Sequence, residues 1–352
     1  MATKPDRPGD WGETDVSTGR AHARMGPGEM VQAAAMARRF YLEGKSKIQI
    51  AEEFGVSRFK VARVLETALE RELVRIEIRV PAELDAERSD ALRAHYGLRH
   101  AVVVQTPPDQ ADAPDPENLG AVAAGLLGEL VTDGDVLGLA WGRSIITMAN
   151  AIDRLAPCTV VQLTGVYDVG TAERGSVEAV RTAAAVSGGE AHPLYAPMVL
   201  GDPATAAALR GQSGIAAVMG HYDKVTVAVV SVGSWEAGVS TVHDALTDAE
   251  REHYAGLGVA AEMSSHLFDA AGRRVGRDLG ERCITIGADR LRRIPEVVAI
   301  AGGTRKAAAI DAVLRSGLVT SLVTDIAAAD RLLGGTRPAE RPALERADPD
   351  ER

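Results

Sequence analysis

Apolar positions recur at helical spacing near the N-terminus and then give way to short β-branched runs, so the period itself divides the chain. Met30, Ala34, Ala37 and Tyr41 predict a first helix that Gly44 ends. Ser46 followed by Gln49 is a capping-box pair, in which each residue satisfies the other's backbone amide. It predicts a second short helix that buries Ile50, Ala51 and Phe54 and stops at Gly55. Ser57 then suits the N-cap of a third helix, whose Val61, Val64, Leu65 and Ala68 form one apolar stripe. "LVRIEIRV" (73–80) alternates apolar and polar residues and predicts a half-exposed strand ended by Pro81.

A polar helix is expected over about 82–96, and beyond it strand-like runs alternate with Ala- and Leu-rich helical stretches. The runs are "AVVVQ" (101–105), "DVLGLA" (135–140), "CTVVQL" (158–163), "KVTVAVVSV" (224–232), "VVAIA" (297–301) and "TSLVT" (320–324). This alternation implies an α/β fold, a largely parallel sheet covered on both faces and Rossmann-like in plan. The expected organisation is a disordered leader over 1–29, a helix-turn-helix over 30–80 and a linker helix over 81–100. An effector-binding and oligomerisation domain over 101–333 follows, with a loop over 106–117 and a flexible tail over 334–352.

Charge sharpens that division. The chain carries −10 overall, yet residues 30–80 hold ten Lys and Arg against seven Asp and Glu. Residues 81–352 hold 25 against 37, so a polyanion would be gripped at the N-terminal end only. Cys158 and Cys283 both lie in apolar runs and are expected as buried free thiols rather than a disulfide or metal pair. No apolar run reaches the roughly 18 residues of a membrane span, and the N-terminus has no secretory apolar core, which fits a cytoplasmic protein.

Two short helices joined by a Gly-containing turn are the helix-turn-helix geometry, whose second helix enters the major groove of double-stranded DNA. With Ser46 and Ser57 as caps, the third helix turns Phe59, Lys60 and Arg63 away from its buried stripe. Arg58 sits on the flank, placed for a phosphate, whereas Arg63 could bridge a guanine edge and Phe59 a thymine methyl. The competing reading is an ordinary three-helix subdomain with a solvated charged face. Capping box, Gly turn, Ser cap and net basicity within one short window favour DNA.

In open α/β sheets ligands lie at the carboxyl ends of strands, where amides of the next helix face the crevice. Three such ends stand out. In "GLAWGRSI", Gly142 lets backbone approach a ligand, Arg143 supplies charge, Ser144 can cap the next helix, and Trp141 could stack on a sugar or serve the core. In "AGGTRKAAAI", Gly302 and Gly303 precede a Thr cap and Lys306. In "VTDIAAA", Asp325 can accept bonds from hydroxyls. Basic groups at such places in an acidic domain suggest a pocket for a small anion, most simply a phosphorylated sugar.

These stretches resemble the SorC family of sugar-binding transcriptional regulators over about 30–333. The likeness is carried by "YLEGKSKIQIAEEFGVSRFKVARVLETALERELVRIEIRVP", "LGLAWGRSI", "VVQLTG", "SGGEAHPLYAP" and "LRRIPEVVAIAGGTRKAAAIDAVLRSGLVTSLVTD". The resemblance implies a sugar-phosphate-isomerase-like effector domain, a homo-oligomer (dimer or tetramer) and a phosphorylated sugar as inducer. It supports residues 141–144 and Lys306 at the phosphate, and Glu262 and Asp269 at the sugar. Where some members carry Gly-Gly or a basic residue, this chain has Thr164-Gly165-Val166; Thr164 cannot form a Schiff base, so binding is expected to be noncovalent. No GxSxG, HExxH or GxxxxGK[ST] motif occurs and the His residues show no ligand spacing, so no catalytic residue, metal or cofactor is expected. The alternatives are a sugar-phosphate isomerase-like enzyme with a DNA-binding head, with Asp325 or Glu262 as base, and an interaction module without ligand.

Overall fold

The computed structural model describes residues 25–76, 83–105, 116–167 and 175–334. The chain divides into two units, Met1–Arg79 and Val80–Arg352. In the first, helices α1 (Pro27–Tyr41), α2 (Lys47–Phe54) and α3 (Arg58–Glu70) enclose a small core of Met36, Ala37, Ile50, Ala51, Val61, Leu65 and Ala68. Helix α1 starts at Pro27, where proline's fixed φ suits the first helical position, and it is turned one position from the expected face. Ala33, Met36 and Ala37 are buried with Phe40 packed against them, while Met30 and Ala34 are exposed. Both registers satisfy the helical period, and Tyr41 as well as Phe40 packs against the core. Gly55 (φ 64°) makes the left-handed turn between α2 and α3 that a side chain would strain.

The strand expected at 73–80 is not formed over its described part. Leu73–Ile76 follow Glu72 (φ 56°) as turn and coil, with Leu73 and Ile76 exposed, and 77–80 lie outside the described residues. The leader up to residue 24, most of the loop at 106–117 and the tail from 335 also lie outside them.

The second unit begins with α4 (Ala86–Tyr96), β1 (His100–Val104), α5 (Pro116–Leu130), β2 (Val136–Leu139) and α6 (Arg143–Ala151). It continues through β3 (Thr159–Gln162), α7 (Ser176–Ser187), β4 (Ala191–His192), α8 (Pro203–Arg210), α9 (Ser213–Met219) and β5 (Val227–Ser231). Then come β6 (Gly233–Ser234), α10 (Thr241–Ala245), α11 (Asp248–Gly256), β7 (Val259–Met263), β8 (His266–Asp269) and β9 (Arg274–Val275). Helices α12 (Arg277–Glu281) and α13 (Ala288–Leu291), β10 (Glu296–Ile300), α14 (Ala307–Arg315), β11 (Ser321–Asp325) and α15 (Ile326–Leu332) complete it.

Seven strands form one parallel sheet in the order β1-β11-β10-β5-β2-β3-β4, and every residue of β10 and β11 is buried. All six runs read from the sequence are strands of this sheet. The helix expected as a linker is α4, which covers the sheet instead: Leu92 is fully buried and Arg88 bonds Asp330 at 2.6 Å. Leu92, with Tyr96 packed beside the same core, anchors this otherwise polar helix.

A second, antiparallel sheet of β6-β7-β8-β9 was not legible in the sequence. Its strands are two to five residues long, and Ser264-Ser265 make the β7–β8 turn in place of Asn-Gly.

The topology leaves one natural crevice. From β2 the chain moves outward to β3, whereas from its neighbour β5 it moves to β10 on the opposite side. Connections diverging from adjacent parallel strands open a cleft at their carboxyl ends.

Candidate functional site: the crevice and the exposed helix

The crevice holds a cavity of about 340 Å³, at the small end of the range for ligand sites. Residues from the ends of β2, β3, β5 and β10 and from the small sheet line it. The loop after β2 is held on both sides: Trp141 donates its N–H to Thr164 Oγ1 (2.8 Å), and its C=O accepts from Ser231 Oγ (2.9 Å). Gly142 is required by this closeness, since a Cβ there would come within 2.4 Å of Ser231 Oγ. Arg143 opens α6 at the wall and donates to the Gly238 carbonyl (3.1 Å). Trp141 packs edge-on against Tyr167, with centroids 5.9 Å apart.

Ser144 does not cap the helix as expected. Gly142 occupies the N-cap, and Ser144 Oγ donates to the Ile300 carbonyl (3.2 Å), tying the loop to the end of β10. Thr304 likewise lies inside a 3-10 turn (Thr304–Lys306) that places Lys306 at the N-cap of α14.

Lys306 reaches the cavity from that turn, and among the described residues it makes no ion pair within 4.0 Å. Burial, and then the charge of Arg143, pull its pKa down to about 8, against the opposing pull of Glu262 and Asp325. Glu262, one residue before the end of β7, has only 8% of its surface exposed. Burial pushes its pKa up to about 7, against the Ser265 amide, Lys306 and Ser240. The Ser265 N–H donates to Glu262 Oε1 at 2.6 Å.

Asp325 stands behind this wall rather than on it. Its Oδ1 accepts from Ala328 N–H (2.8 Å), capping α15, and a Cβ on Gly302 would come within 2.4 Å of its Oδ2. Burial raises its pKa, with the amides of Ala328, Gly303 and Ala327 and then Lys306 pulling the other way. Gly303 (φ 90°) makes the turn but does not line the cavity.

The structure thus brings together Trp141, Gly142, Arg143, Ser144, Glu262, Gly302 and Lys306. It does not bring Asp269 to them. That carboxylate accepts from Ala271 N–H (2.9 Å), Arg273 N–H (2.9 Å) and Arg273 Nε (2.8 Å), closing the β8–β9 turn. Ser231, Ser240 and Ser264, also on the wall, went unread because isolated serines carry no spacing signal.

Glu262 sets a pH dependence. Its pKa is raised above the unfolded value, so the native state holds a proton that the unfolded chain loses between about 4.5 and 7. Its contribution to stability is therefore complete below that window and is lost as pH rises through it. Glu262→Gln should melt increasingly above the wild type from pH 5 to pH 8, the gap growing on the order of 2–3 kcal/mol. A pH-independent gap between the two melting curves would refute this.

In the first unit, Ser46 Oγ accepts from Gln49 N–H (3.3 Å) while Gln49 Oε1 accepts from Ser46 N–H (2.9 Å). Ser57 Oγ accepts from Lys60 N–H (3.2 Å) at the start of α3. The serines are thus engaged in fixing the helices. Arg58, Phe59, Lys60 and Arg63 are all exposed on α3, with Phe59 and Arg63 opposite buried Val61, Leu65 and Ala68 and with Arg58 and Lys60 on the flanks. Phe59 is 70% exposed, with the Arg58 guanidinium 5.0 Å from its ring centroid. None of the three cations pairs with a carboxylate among the described residues.

Residues 80–334 match the family described as "Putative sugar-binding domain". The chain is 27% identical over 310 residues to the uncharacterized transcriptional regulator YjhU of Escherichia coli strain K12, covering 85% of this chain and 93% of the relative. It is 27% identical over 293 residues to the deoxyribonucleoside regulator of Bacillus subtilis strain 168, covering 82% and 93%. The crystal structure of the full-length sorbitol operon regulator SorC from Klebsiella pneumoniae shares the fold, with a TM-score of 0.66 at 22% identity over 87% of this chain and 99% of that one. No described helix is long and apolar enough to cross a membrane.

Proposed function

The chain belongs to the sugar-binding domain family that its residues 80–334 match, and from that premise we propose that it is a DNA-binding transcriptional regulator controlled by a phosphorylated sugar. The controlled genes would be a carbohydrate operon, as the names of relatives suggest. The observation that carries the reading is the pairing of Lys306 and Arg143, two cations at the sheet's switch point within a domain of strong negative charge. A desolvated ammonium without a carboxylate partner is stabilised by an anion, and phosphate takes charge-assisted bonds from both cations. Glu262 then accepts from sugar hydroxyls.

The helix α3 reads DNA through Arg58, Phe59, Lys60 and Arg63. One short recognition helix neutralises few phosphates, so the working form is a homo-oligomer, a dimer or tetramer, reading a pseudo-palindrome in the cytoplasm. In this reading Glu262 is a binding group, with Oε1 held by the Ser265 amide and Oε2 left for a ligand. The experiment that tests this function measures DNA affinity with and without phosphorylated sugars.

A further inference from the structure

The turn between β7 and β8 holds the least expected polar atom of the cavity wall. Ser264 (φ 51°) and Ser265 (φ 63°) both take the left-handed conformation, which two consecutive non-glycine residues adopt only when their surroundings impose it. The surroundings here are specific. Thr285 Oγ1 donates to the Ser264 carbonyl (2.8 Å), and the Ser265 N–H is committed to Glu262 Oε1 (2.6 Å).

With its backbone so anchored, Ser264 is 7% exposed and lines the cavity, and among the described residues its buried Oγ has no hydrogen-bond partner. On the wall of the same cavity, Glu262 Oε2 has one long contact among the described residues, from Ser240 Oγ at 3.5 Å. A buried hydroxyl without a partner is costly and calls for a ligand group that fills it.

We infer that Ser264 is a specificity-determining residue: with Glu262 Oε2 it takes hydroxyl groups of the ligand, so the site selects a fully hydroxylated sugar phosphate over a deoxy-sugar phosphate. This rests on the phosphorylated-sugar reading of the cavity and narrows it. One ligand hydroxyl can donate its hydrogen bond to Glu262 Oε2 while it accepts one from Ser264 Oγ. A carbon lacking that hydroxyl leaves both protein groups desolvated and unmet, which is how a polar site rejects an analogue.

The test is titration calorimetry on the full chain with phosphorylated aldoses and alditols, each paired with its singly deoxygenated counterpart, and with inorganic phosphate as a control. The variants are Ser264→Gly, which removes the hydroxyl and relaxes the positive φ, and Ser264→Ala. Wild type should prefer the hydroxylated member of at least one pair by about tenfold or more. Ser264→Gly should lose that preference, bind inorganic phosphate as the wild type does, and melt at or above the wild-type temperature.

Equal affinity of the wild type for every pair would overturn the inference. So would a Ser264→Gly protein that keeps the preference, which would mean that Ser264 meets only water. If the wild type binds neither the sugars nor phosphate, the phosphorylated-sugar reading falls as well, and the two failures are told apart.

Discussion

Replacing Lys306 by alanine should cost roughly 10- to 150-fold in affinity for a phosphorylated sugar, the range of a hydrogen bond to a charged group. Lys306 and Arg143 are the cations on the cavity wall, and Arg143 already donates to the Gly238 carbonyl. The ligand-free protein should change little. In the wild type the ammonium is desolvated, with a pKa drawn down to about 8, so its removal relieves a cost while withdrawing a counter-charge from Glu262 and Asp325. Melting curves make both halves visible. A ligand at 100 times its dissociation constant should stabilise the wild type by about 2.7 kcal/mol. At that same concentration the variant should lose about half to nine-tenths of the shift, with its unliganded melt nearly in place. A variant that responds to sugar phosphates like the wild type would remove Lys306 from the site.

The second large effect belongs to α3. Arg63 is exposed, unpaired among the described residues, and on the face opposite Val61, Leu65 and Ala68. Arg63→Ala should weaken binding to the preferred DNA sequence on the order of 1–3 kcal/mol and relax the choice of base at one position. Arg58→Ala should weaken all sequences alike and lower the salt slope by about one, as loss of a phosphate contact does. Gel shifts over a salt series separate the two patterns. Both variants binding as tightly as the wild type, with unchanged slopes, would exclude α3 as the DNA-reading element.

How far the sequence reveals this protein depends on the range of the interaction that decides each feature. The parallel strands were legible because both faces of β10 and β11 are buried, which forces continuous β-branched runs. The caps of α2 and α3 were legible because Ser46 with Gln49, and Ser57, act within three residues. The facing of α1 was not, because two stripes one position apart fit the same period and the core of α2 and α3 chooses between them.

Ser144 illustrates the same limit at the cavity. A serine one residue into a helix looks like a cap, yet the nearby Ile300 carbonyl claims it from a strand 156 residues away. Asp269 is the converse case: the resemblance placed it at the sugar, while the structure shows it closing its own turn through Arg273. The small sheet and Ser264 were unreadable because short strands and a serine turn carry no periodic signal.

In the proposed regulator one ligand site governs one DNA site, and fluorescence anisotropy of the full chain on DNA measures that coupling. The DNA would be selected by the protein from a randomised library, and titrations would run with and without a saturating phosphorylated sugar. We predict a change in DNA affinity of at least about fivefold, the lower end of ordinary allosteric coupling, with the DNA changing sugar affinity by the same factor. Identical DNA affinity in the presence of a sugar phosphate shown to be bound would exclude that coupling, and a chain that selects no DNA sequence at all would exclude the regulator itself.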